Sequence, residues 1–197
     1  MIENKLPTIS IVTPSYNQGN YLEETIFSVL NQNYPALEYF IFDGGSTDGS
    51  VEIIKKYEPW LTYWESKPDR GQSHAINKGF KMATGELVAW LNSDDAYNTG
   101  VLFEVADIWQ KDKSVGFIHG ISEFIDAYGK PTGKLFGAEF KMLDALLTYE
   151  NNIAQQSTFI SRAVLEEVGY LNESYHMAMD WDLWFRIACK YKTTFVP

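Results

Sequence analysis

The chain has 197 residues, 45% of them hydrophobic and 15% aromatic, enough to bury one sizeable core and too few for a second independent domain. Its 16 basic and 26 acidic residues give a formal net charge of -10, which argues against nucleic acid as a partner and sets a repulsive mean field against any phosphate-bearing ligand. The single cysteine, Cys189, excludes an intramolecular disulfide, and no apolar run approaches the roughly 20 residues that span a bilayer.

In chain order, Thr8 to Thr13 is short, β-branched and followed by Pro14, and reads as a buried strand that the proline stops. Asn20 and Glu23 form a capping box for a helix with Leu22, Ile26, Val29 and Leu30 on one face. Leu37 to Phe42 is a second strand that delivers Asp43 to its end, and Gly44, Gly45 and Gly49 then break the chain before a helix over Val51 to Tyr57. A strand over Leu61 to Glu65, a Pro68-Asp69-Arg70-Gly71 turn and a helix with Ala75, Ile76, Gly79, Phe80 and Ala83 inward follow, and Gly85 reads as the glycine just past that helix. Leu87 to Leu91 is the most apolar strand and runs into Asn92-Ser93-Asp94-Asp95. The alternation predicts a Rossmann-like α/β fold with a mainly parallel central sheet flanked by helices, and ligands of such sheets bind beyond the carboxyl ends of the strands.

The second half is less regular. It reads as a helix over Val101 to Lys111, a strand over Val115 to Gly120, a hairpin about Tyr128-Gly129-Lys130, a strand over Ser157 to Ile160, a helix over Trp181 to Tyr191 and an edge strand from Thr193. The whole of 1–197 is expected to form one domain, about 1–97 as a regular ligand-binding half and about 98–197 as a half that packs on it and supplies the other side of a cleft.

Asp94 and Asp95 carry the first chemical signal, because adjacent carboxylates at the end of an apolar strand repel each other and a bound cation relieves that repulsion. Mg²⁺ and Mn²⁺ take oxygen ligands and bridge to phosphates, so such an ion would let an acidic protein bind a diphosphate. An isolated Asp-Asp is more often a solvated turn. The loop Asp43 to Gly49 adds a carboxylate able to accept from an imide N–H, and Tyr16 could stack on a base or be a core ring. His119 and His176 lack a paired ligand at metal spacing and read as ordinary histidines.

The succession TPSYN, DGGSTDG, PDRGQSHAINKG, LNSDD, QQSTF and MDWDLWFR resembles the family 2 inverting glycosyltransferases of the GT-A fold, over essentially the whole chain. The resemblance implies that Thr13, Pro14, Tyr16 and Asp43 hold the base of a nucleotide-sugar donor, that Asp69 and Arg70 sit near the nucleotide, and that Asp94 and Asp95 contact ribose and metal. Asn92 stands where many relatives carry a further Asp, which puts the Mn²⁺ or Mg²⁺ on Asp95 first and Asp94 second. A base across the cleft from the metal is required for in-line displacement, and Asp180, opening the helix MDWDLWFR, is the candidate. Relatives carry Glu-Asp where this chain has Met179-Asp180; the competing reading is that Asp180 is a helix cap and Asp182 a surface charge.

The resulting expectation is transfer of a sugar, from a UDP-sugar by preference, to a carbohydrate or lipid-linked acceptor in cell-surface polysaccharide or glycoconjugate synthesis. Arg70 or Lys78 would assist the departing nucleoside diphosphate. The location expected is cytoplasmic, at the inner face of the membrane if parts outside these residues tether it. The alternatives are a sugar-phosphate nucleotidyltransferase, whose Gly-rich N-terminal loop TPSYNQGN does not supply, and a catalytically silent sugar-nucleotide-binding subunit.

Overall fold

A computed structural model describes residues 5–126, 128–148, 152–175 and 177–197. Strands β1 (Ile9–Ser15), β2 (Leu37–Asp43), β3 (Tyr63–Ser66) and β4 (Leu87–Trp90) alternate with helices α1 (Leu22–Leu30), α2 (Ser50–Tyr57) and α3 (Gln72–Met82). After α4 (Val101–Lys111) come β5 (Phe117–His119), β6 (Ser122–Ile125), β7 (Pro131–Phe136), α5 (Met142–Thr148), β8 (Thr158–Ser161), α6 (Arg162–Val168), α7 (Met179–Ala188) and β9 (Thr193–Phe195).

Seven strands form one sheet in the order β3-β2-β1-β4-β8-β5-β9, parallel except where β8 runs against β4 and β5. The reversal of order on either side of β1 makes a switch point at the carboxyl ends of β1 and β4. Strands buried on both faces need continuous apolar sequence, and β4 (Leu87, Val88, Ala89, Trp90) has no exposed residue. One face of the sheet packs Leu22, Ile26, Ile54, Leu102 and Trp109, and the other packs Ile76, Phe80, Leu165, Leu183 and Trp184. Trp184 of α7 stacks on Trp90 with ring centroids 5.6 Å apart, which seats the second half of the chain on the first.

Four local features depart from the sequence reading for physical reasons. Pro14 does not stop β1, because β4 hydrogen-bonds β1 only as far as the Leu91 amide on the Val12 carbonyl, so the missing N–H beyond that point breaks no ladder bond. The Asn20–Glu23 capping box is absent: Tyr21 precedes α1 with no side-chain cap, and Glu23 accepts from Lys56 and Tyr57 of α2. Gly85 is no left-handed helix terminus; a Cβ there would lie 2.6 Å from Ser10 Oγ and 2.7 Å from the Thr8 carbonyl, so close backbone approach to β1 requires glycine. Helices α5 and α6 have no counterpart in the sequence reading, being too short to show a periodic stripe. The β6–β7 hairpin and β9 form as the sequence implies.

Candidate active site

The carboxyl ends of β1, β2 and β4 open on a hollow of about 720 Å³. β1 contributes Pro14, Ser15 and the following Tyr16, the turn before α3 contributes Pro68, Asp69 and Gly71, and the loop after β4 contributes Asn92, Ser93 and Asp94. Among the described lining residues there is no Lys or Arg. The first turn of α3, through Gly71, Gln72 and Ala75, forms one wall and turns the positive end of its dipole toward the hollow.

Tyr16 is 63% exposed, which removes the reading of it as a core ring. Its ring edge and the Asp69 carboxylate both crowd Gly44, where a Cβ would lie 3.2 Å from the ring and 3.3 Å from Asp69 Oδ2. Asp69 Oδ1 accepts the Gly71 amide at 2.7 Å, an interaction that shapes the turn into α3. Thr13 is fully buried, its hydroxyl 3.0 Å from the Tyr39 hydroxyl, and does not line the hollow. Asp43 is also buried. Its Oδ1 accepts from Ser46 Oγ at 2.5 Å, and its Oδ2 accepts from the Gly45 and Ser46 amides and from Ser66 Oγ, so this carboxylate braces the β2–α2 loop against β3.

The two acidic neighbours part. Asp94 is exposed in the hollow, whereas Asp95 lines a second hollow, of about 340 Å³, beneath α1 and the β6–β7 hairpin. Burial, and secondarily the charge of Asp94, push the Asp95 carboxyl up to about 6. Asn92 opposes that rise by donating Nδ2 to Asp95 Oδ2 at 3.2 Å and to Gln155 Oε1 at 3.0 Å, while its Oδ1 accepts from Gln72 Nε2 at 2.7 Å. The Asn92 oxygen is therefore engaged away from Asp95. Gln155 donates in turn to the Trp90 carbonyl at 2.8 Å, which makes it a brace of the strand end, and Gln156 lines the second hollow.

Arg70 and Lys78 are both engaged elsewhere. Arg70 Nη2 meets Glu173 Oε2 at 2.6 Å, and Lys78 pairs with Glu65 beside the Phe42 ring. Neither lines the 720 Å³ hollow. Asp180 is the second residue of α7, after Ala178 in the left-handed region at φ 65, and no side chain caps the helix, so Asp180 is not its cap. Asp182 is no free surface charge: it takes Arg186 at 2.8 Å, and Arg186 also donates to the carbonyls of Val168, Gly169 and Tyr170, joining α6 to α7.

His119 is buried with no hydrogen-bond partner among the described residues, and burial lowers its pKa to about 4. His176 lies outside the described residues. Among these residues no group of three or more His, Cys, Asp or Glu is placed to hold a metal. Adjacent carboxylate oxygens are the donors a hard cation takes, but Asp94 faces the first hollow and Asp95 the second. Sequence reasoning missed Ser15 and Gln72 as lining residues; the signal for Gln72 was its place directly after the turn glycine Gly71.

A switch-point hollow in a mainly parallel sheet, walled by a helix N-terminus and an acidic strand end, is the arrangement of a GT-A glycosyltransferase. Over 96% of its length the chain superposes on TarS of S. aureus (residues 1–349, in complex with UDP-GlcNAc) with a TM-score of 0.77 and 22% identity, covering 56% of that chain. Over 98% it superposes on the mannosyltransferase PcManGT of Pyrobaculum calidifontis, in complex with GDP-Man and Mn²⁺, with a TM-score of 0.74 and 20% identity, covering 55% of that chain. The chain belongs to glycosyl transferase family 2, whose profile it matches over residues 10–169. It is 38% identical over 115 residues to TuaG of Bacillus subtilis, a glycosyltransferase named for teichuronic acid biosynthesis, covering 56% of this chain and 40% of TuaG. The first curated relatives it matches are much longer, and the chain spans 31% of two of them and 38% of a third. No described helix is long and apolar enough to cross a membrane.

Proposed function

We propose that the chain moves a glycosyl group from a nucleotide-diphosphate sugar, a UDP-sugar by preference, to an acceptor hydroxyl with inversion, in the synthesis of a cell-surface polysaccharide or glycoconjugate. One observation carries this reading: the switch-point hollow lacks a cationic side chain among its described lining residues yet ends on Asp94, whose chain neighbour Asp95 lines the second hollow. A diphosphate entering it has only the α3 N-terminus and a bound cation to offset its charge. The UDP-GlcNAc held by TarS, the GDP-Man and Mn²⁺ held by PcManGT, and the biosynthetic name of TuaG support the donor class, the metal and the polymer product respectively.

Tyr16 offers its exposed face to the base, with Pro14 lining the same hollow and Thr13 and Asp43 bracing β1 and the β2–α2 loop. Asp69 holds the turn into α3, and Arg70, paired with Glu173, braces that turn against the segment before α7 rather than reaching the diphosphate. Asp95 first and Asp94 second hold Mn²⁺ or Mg²⁺. Bound there, the cation would neutralise the diphosphate and the charge that grows on it as the glycosidic bond breaks. Asp180 sits in the first turn of α7 and takes the proton from the acceptor hydroxyl. The oxygen thus freed bonds to the anomeric carbon as the bond to the donor phosphate breaks, and no covalent enzyme intermediate forms. Incubation with a panel of UDP-sugars and Mn²⁺, with the anomeric configuration of the product read by NMR, tests the proposal; a retained configuration contradicts it.

A further inference from the structure

The candidate base and the candidate donor hollow lie on different parts of the chain, and α3 joins them. One side of its first two turns, Gln72 and Ala75, faces the hollow, while Ser73 and Asn77 face the segment that leads into α7. Asn77 is 3% exposed, and its side-chain amide bonds in both directions: Nδ2 donates to the Leu171 carbonyl at 2.9 Å and to Glu173 Oε1 at 3.2 Å, and Oδ1 accepts the Leu171 amide at 3.0 Å. Ser73 Oγ lies 2.6 Å from the sulfur of Met179, the residue before Asp180. The second carboxylate oxygen of Glu173 takes Arg70, just before the helix. The turn these contacts hold includes Ala178 at φ 65, a backbone state that an alanine keeps only when its surroundings impose it.

Resting on the reading above, we propose that Asn77 and Glu173 are positioning residues, which fix the distance of Asp180 from the donor hollow through α3. A two-sided amide bridge to a backbone is a geometric clamp rather than a source of binding energy for substrate. Loss of the clamp therefore acts on turnover and leaves donor affinity alone.

Asn77→Ala and Glu173→Gln separate the clamp from general stability. Glu173→Gln removes the charge that holds Arg70 while keeping an amide oxygen able to accept from Asn77. Glu173 is also partly exposed, so this variant keeps the fold even if Asn77→Ala does not. Expected are a tenfold or greater fall in kcat for Asn77→Ala and a severalfold fall for Glu173→Gln, with the midpoint of UDP titration in Mn²⁺ moving less than twofold in both. Unchanged kcat per folded molecule in both variants, or a parallel loss of UDP affinity, overturns the proposal. Asp180→Asn is measured alongside: if it is inactive while the other two are fully active, the base assignment stands and the clamp falls. If Asp180→Asn is fully active, the base assignment fails and the clamp fails with it.

Discussion

Asn92 donates to Asp95 across 3.2 Å, and so steadies that carboxylate by a hydrogen bond instead of adding charge to the loop. Asn92→Asp removes that donor and places a third carboxylate in the loop. Without a divalent cation the variant is expected to be less stable than the parent at pH 8, and to bind Mn²⁺ severalfold more tightly; isothermal titration and thermal unfolding measured together check both directions.

Asp95 sets a pH dependence whose sign follows from its raised pKa. Burial first, and the charge of Asp94 second, lift its carboxyl from the ordinary 3.8 to about 6, so the folded chain takes up a proton at higher pH than the unfolded chain. In the absence of a cation its contribution to stability is fully present below about pH 4 and is lost as the pH rises through about 6. Asp95→Asn, which imitates the protonated form, is expected to gain about 1–2 kcal/mol at pH 8, allowing for solvent screening, and little at pH 4. Chemical denaturation in EDTA at the two pH values measures the difference.

Tyr16, exposed at the mouth of the hollow, stabilises nothing in the core. Tyr16→Ala should leave the unfolding free energy within about 0.5 kcal/mol of the parent. It should weaken UDP by about 1–3 kcal/mol if the ring stacks on the base. Equal UDP affinity in the two proteins would remove Tyr16 from the donor site.

Gly79 is the point at which α3 meets the sheet, and a Cβ there would lie 2.5 Å from both methyl carbons of Val12. Gly79→Ala is expected to destabilise the chain by about 1–3 kcal/mol, because α3 must lift from β1 to admit the methyl. Since α3 also walls the hollow, UDP affinity should fall in the same variant, which calorimetry would show.

The alternation of strand and helix is plain in the first half because β4 is apolar throughout, β1 and β2 are largely so, and the breaks fall at Gly44, Gly71 and Pro59. The strand ends carrying Asp43, Asp94 and Asp95 follow from it. Hydrogen bonds between residues distant in sequence leave no such trace: Asp43 looks free in DGGSTDG, yet four donors from its own loop and β3 occupy it. Arg70 looks like a phosphate ligand in PDRG, but its partner Glu173 is 103 residues away. The parting of Asp94 and Asp95 into two hollows depends on where the loop after β4 turns, and no local pattern specifies that.

If the proposed reading holds, donor binding requires a divalent cation, and titration of UDP by calorimetry, once with Mn²⁺ and once with EDTA, tests this most directly. Binding that is clear with Mn²⁺ and at least tenfold weaker with EDTA is the predicted result. Equal affinity under the two conditions would contradict the account, for it would mean that the hollow offsets the diphosphate charge without the Asp94–Asp95 site.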